Sequence, residues 1–390
     1  MRVLHANNVH RGFGGISRTF ADVVRLLRDG GVEVDTFTRD SRDIPPTLAG
    51  RAGAFASGLY ARGAVREFGA LLRERRPDVV HVHELFPLIS PWILPRCAEA
   101  GIPVVMGCYD YRFSCPVATH FRAGGECRRC EGGREHWCVA RNCRGSLPES
   151  LGYALRSASA RHFGLHERHV ARFVACSDHV RDYLVGRVGI DPARVRVVPP
   201  PVRIPAEPVA DPSAGAYVAY AGRFAPEKGV EVLVEACRQA GLPLRLAGSA
   251  PAHPAVRPGD DAAFVMTGSP EELADFYRGA RVVAVPSLFA ETFGVVAAEA
   301  MGHGVPVVAS RIGALPDTVG GGGLLARPGD AADLAARLRQ VWDDSPLACR
   351  LGREGRRIAG SAYGERAHLD RLLGVYGEVA APGTGARATA

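Results

Sequence analysis

Two carboxylates, Glu291 and Glu299, stand in a stretch of apolar and small residues, PSLFAETFGVVAAEAMGHGVPVVAS, covering residues 286–310. An unpaired carboxylate is costly to bury. Either both glutamates lie on a solvated helix face, or they line a polar site. VVAVPS reads as a strand, LFAET as the loop at its carboxyl end and FGVVAAEAM as the helix that follows. Glu291 then falls in the crevice where open α/β sheets hold ligands. Glu299 follows about two turns later, at roughly 3.6 residues per turn. The N–H groups of Phe293, Gly294 and Val295 open that helix without intrahelical partners, and they can donate to hydroxyls or phosphate. Gly294 lets a ligand come close to the backbone. Two acceptors beside a row of donors suit a polyol.

A second constellation is AGRFAPEKGV, residues 221–230, where Arg223 and Lys228 follow a buried strand and precede a helix. Of the 48 Lys plus Arg, Lys228 is the one lysine. A background that replaces lysine wherever arginine serves leaves it where a compact ammonium is wanted. Two cations at a strand's carboxyl end suit a diphosphate, the arginine as a fork and the lysine as a point charge. Two solvated surface cations are the bland alternative. In NNVHRGFGGISR, residues 7–18, Gly14 and Gly15 join the first strand to a helix. The loop can cradle phosphate, but it lacks the last glycine of a dinucleotide fingerprint, and a lone glycine loop is weak evidence. It reads as the opposite wall of a cleft, touching the same ligand's phosphates from across it. Contacts to the base are expected from backbone around Gly248 and Thr267.

These loops need a scaffold, and the chain alternates strands and helices twice. RVLHA, VEVDTFT, DVVHVH and IPVVMG read as strands of a mostly parallel, doubly wound α/β domain over 1–198. Residues 199–215, PPPVRIPAEPVADPSAG, break the rhythm as a linker does. A second α/β domain follows over 216–362, then a helix over 363–378 and a disordered tail over 379–390. A chain of 390 residues exceeds one ordinary core. The formal charge of +7 is spread along the chain, which favours anionic small molecules or an anionic membrane surface over nucleic acid. The chain has no run of about 18 apolar residues and starts as a strand, so it is expected in the cytoplasm. SLGYALRSASARHFGLHERHVARF, residues 150–173, reads as a packed helix, with a membrane-surface helix that meets lipid-linked acceptors as the other reading.

Cys115, Cys127, Cys130, Cys138 and Cys143 crowd into an insertion over 115–145. C-x2-C followed by C-x4-C in a cytoplasmic protein reads as a structural zinc more readily than as disulfides. Reduced thiols and a redox pair stay open, as does the ligand set, with His120 and His136 nearby in sequence. Cys97, Cys108, Cys176, Cys237 and Cys349 read as small core residues. His81 reads as a core histidine in a buried strand, and His83, at the strand end, as a site residue.

The residues resemble a known family. Glu291 and Glu299, with AMGHGVPVVAS after them, resemble the E-x7-E signature of family-four retaining glycosyltransferases of the GT-B fold. GRFAPEKG and GGISR resemble that family's basic element and N-terminal glycine loop, and DVVHVHELFPLISP and VPVVMGCYDYRFSCP resemble a bacterial branch with a cysteine-bearing insertion. The resemblance covers about residues 1–375 and implies two Rossmann-like domains facing across a cleft. It further implies a hexosyltransferase-type enzyme that moves a sugar from a nucleotide-diphosphate sugar to a glycan, lipid-linked or small-molecule hydroxyl, with retention. Glu291 would face the sugar and Glu299 the ribose; Arg223 and Lys228 would hold the pyrophosphate, with no cofactor required. The last helix would brace the first domain. His83, Tyr109 and Asp110 become acceptor-side candidates, Tyr109 standing where relatives commonly carry histidine. Such an enzyme would be cytoplasmic or peripheral on the inner membrane face. Two alternatives stay open: a sugar-nucleotide epimerase on the same scaffold, and a nucleic-acid or protein binding module built on the cysteine insertion.

Overall fold

The short β-branched runs become strands because parallel strands are covered on both faces and so read as near-continuous apolar segments. The computed structural model describes residues 1–10, 15–206, 209–248, 253–265 and 269–380. Its strands in chain order are β1 (Arg2–Val9), β2 (Glu33–Asp40), β3 (Val79–Glu84), β4 (Val104–Cys108), β5 (Phe121–Arg122), β6 (Gly125–Glu126), β7 (Arg172–Ala175) and β8 (Val195–Val197). The second half supplies β9 (Tyr217–Gly222), β10 (Leu244–Gly248), β11 (Ala262–Val265), β12 (Ala280–Val285), β13 (Val307–Ser310) and β14 (Gly323–Ala326). Every residue of β3 and of β12 is buried.

Two compact units result. The first takes Met1–Thr119, Arg128–Val198 and the chain from His368; the second takes His120–Cys127 and Pro199–Ala367. The first unit's sheet is six-stranded, ordered β2-β1-β3-β4-β7-β8, and the second unit's is six-stranded, ordered β11-β10-β9-β12-β13-β14. All pairs in both are parallel. In each sheet the chain order reverses once, between β1 and β3 and between β9 and β12, which are the points where such sheets bind ligands.

Each sheet carries its own core. In the first unit Val3, Val79, Val105 and Val174 pack with Leu372, Val375 and Tyr376 of the last helix, Glu365–Ala380. In the second, Val218, Leu246 and Val282 pack with Leu233, Leu338 and Leu351. The last helix begins at Glu365, two residues after the expected start, because a helical turn over Ala359–Tyr363 precedes it. It also takes in Val379 and Ala380, expected in the tail; the rest of that tail, 381–390, lies outside the described residues.

The proline-rich segment expected as a free linker is sewn into the second unit. Val202 bridges to Gly364, and Arg356 donates to the carbonyls of Gly302, Pro205 and Ala206. Prolines without N–H groups leave carbonyls looking for donors, and a single guanidinium supplies several.

Candidate functional site

Lys228 and Glu291 meet because two loops at the β9/β12 switch are stitched together. Leu288 N–H donates to Glu227 O at 2.9 Å. Gly229, at φ +69°, sits so close to Pro286 that a Cβ on it would stand 2.1 Å from the Pro286 oxygen. Only glycine fits both the left-handed backbone and that gap. The preceding side chain, Lys228, then points at the second loop and donates Nζ to Glu291 Oε1 at 2.7 Å. Its ammonium also lies 4.7 Å from the Phe289 ring centroid, a cation–π contact.

Glu291 is held from several sides. Ser287 Oγ donates to the same Oε1 at 2.6 Å, and Ala314 N–H donates to Glu291 O at 2.8 Å. Both side-chain bonds fall on Oε1, and no partner is assigned to Oε2 among the described residues. Gly294, at φ +89°, turns the chain into helix Val295–Gly302. Phe293 before it is buried and packs edge-on against Tyr363. On that helix Glu299 accepts from the buried Tyr277 hydroxyl at 3.2 Å. Glu291 is thus buried in the loop beyond β12, and Glu299, half-buried on the following helix, is tied to a buried hydroxyl, so neither stands free on a solvated face.

Arg223 is exposed and donates to Glu227 Oε1 at 3.1 Å, while its carbonyl accepts from the Tyr220 hydroxyl at 2.8 Å. Burial, with the negative charge of Glu291, pushes the Tyr220 phenol well above its usual range. Glu291, Arg223 and Glu227 all act on this one phenol, so the basic loop and the acidic loop share a site. Gly248 ends β10 under the Phe224 ring, which lies where a Cβ would be. Gly15 starts the helix Gly15–Asp29 of the first unit. Gly14 and Thr267 lie outside the described residues.

The first unit brings different residues together. His5 on β1 is in register with His81 on β3, and the strand period of two puts His83 on the same face. A buried chain follows. Tyr109 hydroxyl meets His83 Nδ1 at 3.1 Å, His83 Nε2 meets His5 Nδ1 at 2.9 Å, His5 Nε2 meets Tyr376 hydroxyl at 3.5 Å, and that hydroxyl meets His81 Nδ1 at 2.6 Å. Burial drives all three imidazoles well below their usual range, His5 to about 3, so they are neutral. His83 was expected in the site, but it is closed inside a central strand, 2 % exposed, with its Nδ1 turned to the Tyr109 hydroxyl. Asp110, half-buried at the end of β4, accepts from Arg112 N–H at 3.0 Å and Nε at 2.8 Å.

The cysteine segment is split between the units. Cys127 goes with the β5–β6 hairpin in the second; Cys115, Cys130, Cys138 and Cys143 stay in the first. Burial and the neighbouring sulfurs of Cys143, Cys130 and Cys115 push the Cys138 thiol up to about 12. Among the described residues, His5, His81 and His83 have three ligand atoms within 4.8 Å of one another, and no three cysteines do. Cys97, Cys108, Cys176 and Cys237 are buried; Cys349 is half-exposed on helix Ser345–Ile358, a departure from its expected place in the core.

Sequence reasoning missed the residues that hold the site: Tyr277, Ser287 and Gly229 in the second unit, Arg112 and His5 in the first. Gly229 alone had a local signal, as the glycine directly after Lys228.

Comparisons with known proteins identify the family and the fold. Residues 13–204 match the model for Glycosyltransferase Family 4, and residues 215–344 match that for Glycosyl transferases group 1. The chain is 35 % identical to the D-inositol 3-phosphate glycosyltransferase of Kineococcus radiotolerans, covering 93 % of this chain and 90 % of that one. The fold is similar to sucrose-phosphate synthase from Thermosynechococcus elongatus, with TM-score 0.72 and 22 % identity over 98 % of this chain and 100 % of that one. It is also similar to Anabaena HepE in complex with UDP and glucose, with TM-score 0.66 and 16 % identity over 97 % and 100 %. Neither the epimerase nor the binding-module reading finds support in these likenesses. The chain belongs to glycosyltransferase family 4 and has the GT-B fold.

Proposed function

We propose that the β9/β12 switch of the second unit holds the donor's diphosphate and sugar. Arg223 and Lys228 meet the phosphates, the amides of Phe293 to Val295 donate beside them, Glu291 faces the sugar and Glu299 the ribose. The observation that carries this is the Lys228–Glu291 contact, which puts a cation for the leaving group beside an acid for the transferred group. As the glycosidic bond breaks, negative charge builds on the diphosphate, and fixed cations and helix-end amides stabilise it. The sugar becomes oxocarbenium-like, and the Glu291 carboxylate favours that positive charge. With no nucleophile assigned opposite among the described residues, the acceptor hydroxyl attacks from the face the diphosphate leaves and passes its proton to the departing phosphate oxygen. Binding stabilises by mass action, so a thermal-shift series with UDP, GDP, ADP and their sugars tests the reading. At least one must raise the melting temperature in wild type and fail to do so in R223A/K228A.

The acceptor side falls to the first unit, with Asp110 and Tyr109 as candidates for holding an acceptor hydroxyl. Helix Leu147–His162 leaves Leu147, Leu151 and Leu155 exposed at four-residue spacing, which supports contact with a membrane surface and a lipid-linked acceptor. Co-sedimentation with anionic vesicles, lost in L151S/L155S, tests that contact. No described helix is long and apolar enough to cross a membrane. A structural zinc on the cysteine segment is a separate proposal that rests on the C-x2-C and C-x4-C spacing, and it requires the sulfurs to draw closer than they stand, since no three described cysteines lie within 4.8 Å of one another. Metal analysis of purified protein tests it: one zinc per chain, lost in C130S/C138S, is the expected result.

A further inference from the structure

The first unit contains an open cavity of about 330 Å³ at the carboxyl ends of β3 and β4, walled by Glu84, Asp110, Arg112, Tyr153, Arg156 and Arg161 among others. Most of its charges are already matched. Arg112 is bound by Asp110 and Glu84, Arg161 by Glu135 at 2.8 Å, Arg187 by Glu131 at 3.4 Å and Arg144 by Glu149 at 3.5 Å. Arg156 is different. Its guanidinium carbon lies over Tyr153, 3.7 Å from the ring centroid, and 4.3 Å from that of Phe86. Its Nε is sealed from solvent with no hydrogen-bond partner.

The acid whose charge reaches Arg156 is Glu84, and that carboxylate is fully engaged. Its Oε1 accepts from Arg112 and from the N–H groups of Leu85 and Phe86, and its Oε2 faces His10 at 3.3 Å. Burial, opposed by Tyr153 and Glu84 and reinforced by Arg112 and Arg144, pushes the Arg156 guanidinium below its usual range. A guanidinium held against two rings, with its buried Nε unfilled, is a costly thing to maintain in a folded chain. The same arrangement is a ready receptor for an oxyanion, which takes two parallel N–H bonds from a guanidinium.

We propose that this cavity takes the acceptor, and that the acceptor carries a phosphate group bound by Arg156. The inference rests on the reading of the first unit as the acceptor side, and deepens it to a substrate class. The phosphate belongs either to a soluble sugar or polyol phosphate or to a lipid phosphate; the chemistry at Arg156 is the same.

The test titrates inorganic phosphate onto wild type, R156M, R156K and R223A/K228A, followed by thermal shift. Phosphate should stabilise R223A/K228A, whose donor cations are gone. Binding should weaken about ten- to hundredfold in R156M, the cost of losing hydrogen bonds to a charged group. R156K, a point charge without the fork, should fall between. Without phosphate, R156M should melt at the wild-type temperature or above it, because it removes an unfilled cation; a stacking role alone would lower it. Undiminished phosphate binding in both R156M and R156K, or no phosphate stabilisation of R223A/K228A, overturns the proposal. Loss of nucleotide binding in wild type would instead strike the donor-site reading and leave this one standing. Glucose 6-phosphate and dodecyl phosphate, competed against inorganic phosphate, rank the soluble and lipid sources. Glucuronate displacing phosphate better than either overturns the phosphate assignment.

Discussion

Lys228 Nζ and Glu291 Oε1 stand 2.7 Å apart although 63 residues separate them in the chain. The pair is partly buried, with side-chain exposures of 23 % and 10 %. Removing one member of such a pair strands the other. K228A should therefore lower kcat by about 10²–10³, the loss typical of one preorganised electrostatic donor. K228R should recover little of it, because a planar guanidinium cannot occupy the compact position over Phe289. Steady-state kinetics with the donor found by thermal shift decides this, and near-wild-type turnover in K228R would refute the point-charge role.

Glu291 presents Oε2 with no assigned partner while Oε1 is tied to Ser287 and Lys228. E291Q keeps the shape and loses the charge. Donor binding should persist while transfer falls below about 1 % of wild type, since the charge matters most in the transition state. A proportional loss of nucleotide affinity and kcat/KM would assign Glu291 to binding instead.

Gly229 keeps the two loops in register by its closeness to Pro286 O. G229A places a Cβ into that oxygen and strains a left-handed backbone, a penalty of about 1–3 kcal/mol before any loop movement. Reduced denaturant stability together with weakened nucleotide binding is the expected pair of effects. Lost stability with intact nucleotide binding would mean that the stitch does not position Lys228.

The buried histidines make stability depend on pH. Below about 6.5 the unfolded chain protonates His5, His81 and His83, whereas the folded chain keeps His5 neutral down to about 3 and the other two well below 6.5. The unfolded state then binds more protons, so stability falls as pH falls from about 6.5 toward 4, by up to about 1.4 kcal/mol per pH unit for each histidine. Urea unfolding at pH 7, 6, 5 and 4.5 reads this slope, and a flat profile would contradict the buried neutral chain.

Tyr376 ties the last helix to that chain through His81 and His5. Y376F leaves two buried ring nitrogens unmatched, a loss of about 1–3 kcal/mol. Chemical denaturation measures it, and an unchanged midpoint would mean that packing alone holds the helix.

Strand and helix alternation, the two α/β halves and the cationic and acidic loops were legible in the chain because each is a local property. A run of β-branched residues, a glycine after a lysine or a glutamate just past a strand carries its meaning within a few positions. The spacing of Glu291 and Glu299 needed only the pitch of one helix. Pairing is a different matter. Forty-one acids and 48 bases admit many partnerships, and composition is silent on which are made. That His83 is buried follows from β3 lying between β1 and β4, with β1 supplying His5 as its neighbour. That Arg112 takes Glu84 and Asp110, leaving Arg156 with its buried Nε unfilled, follows from which strand ends face one cavity. Local patterning decided the elements; long-range packing decided which charges were satisfied, because the energy of a charge depends on everything around it and not on its place in the chain.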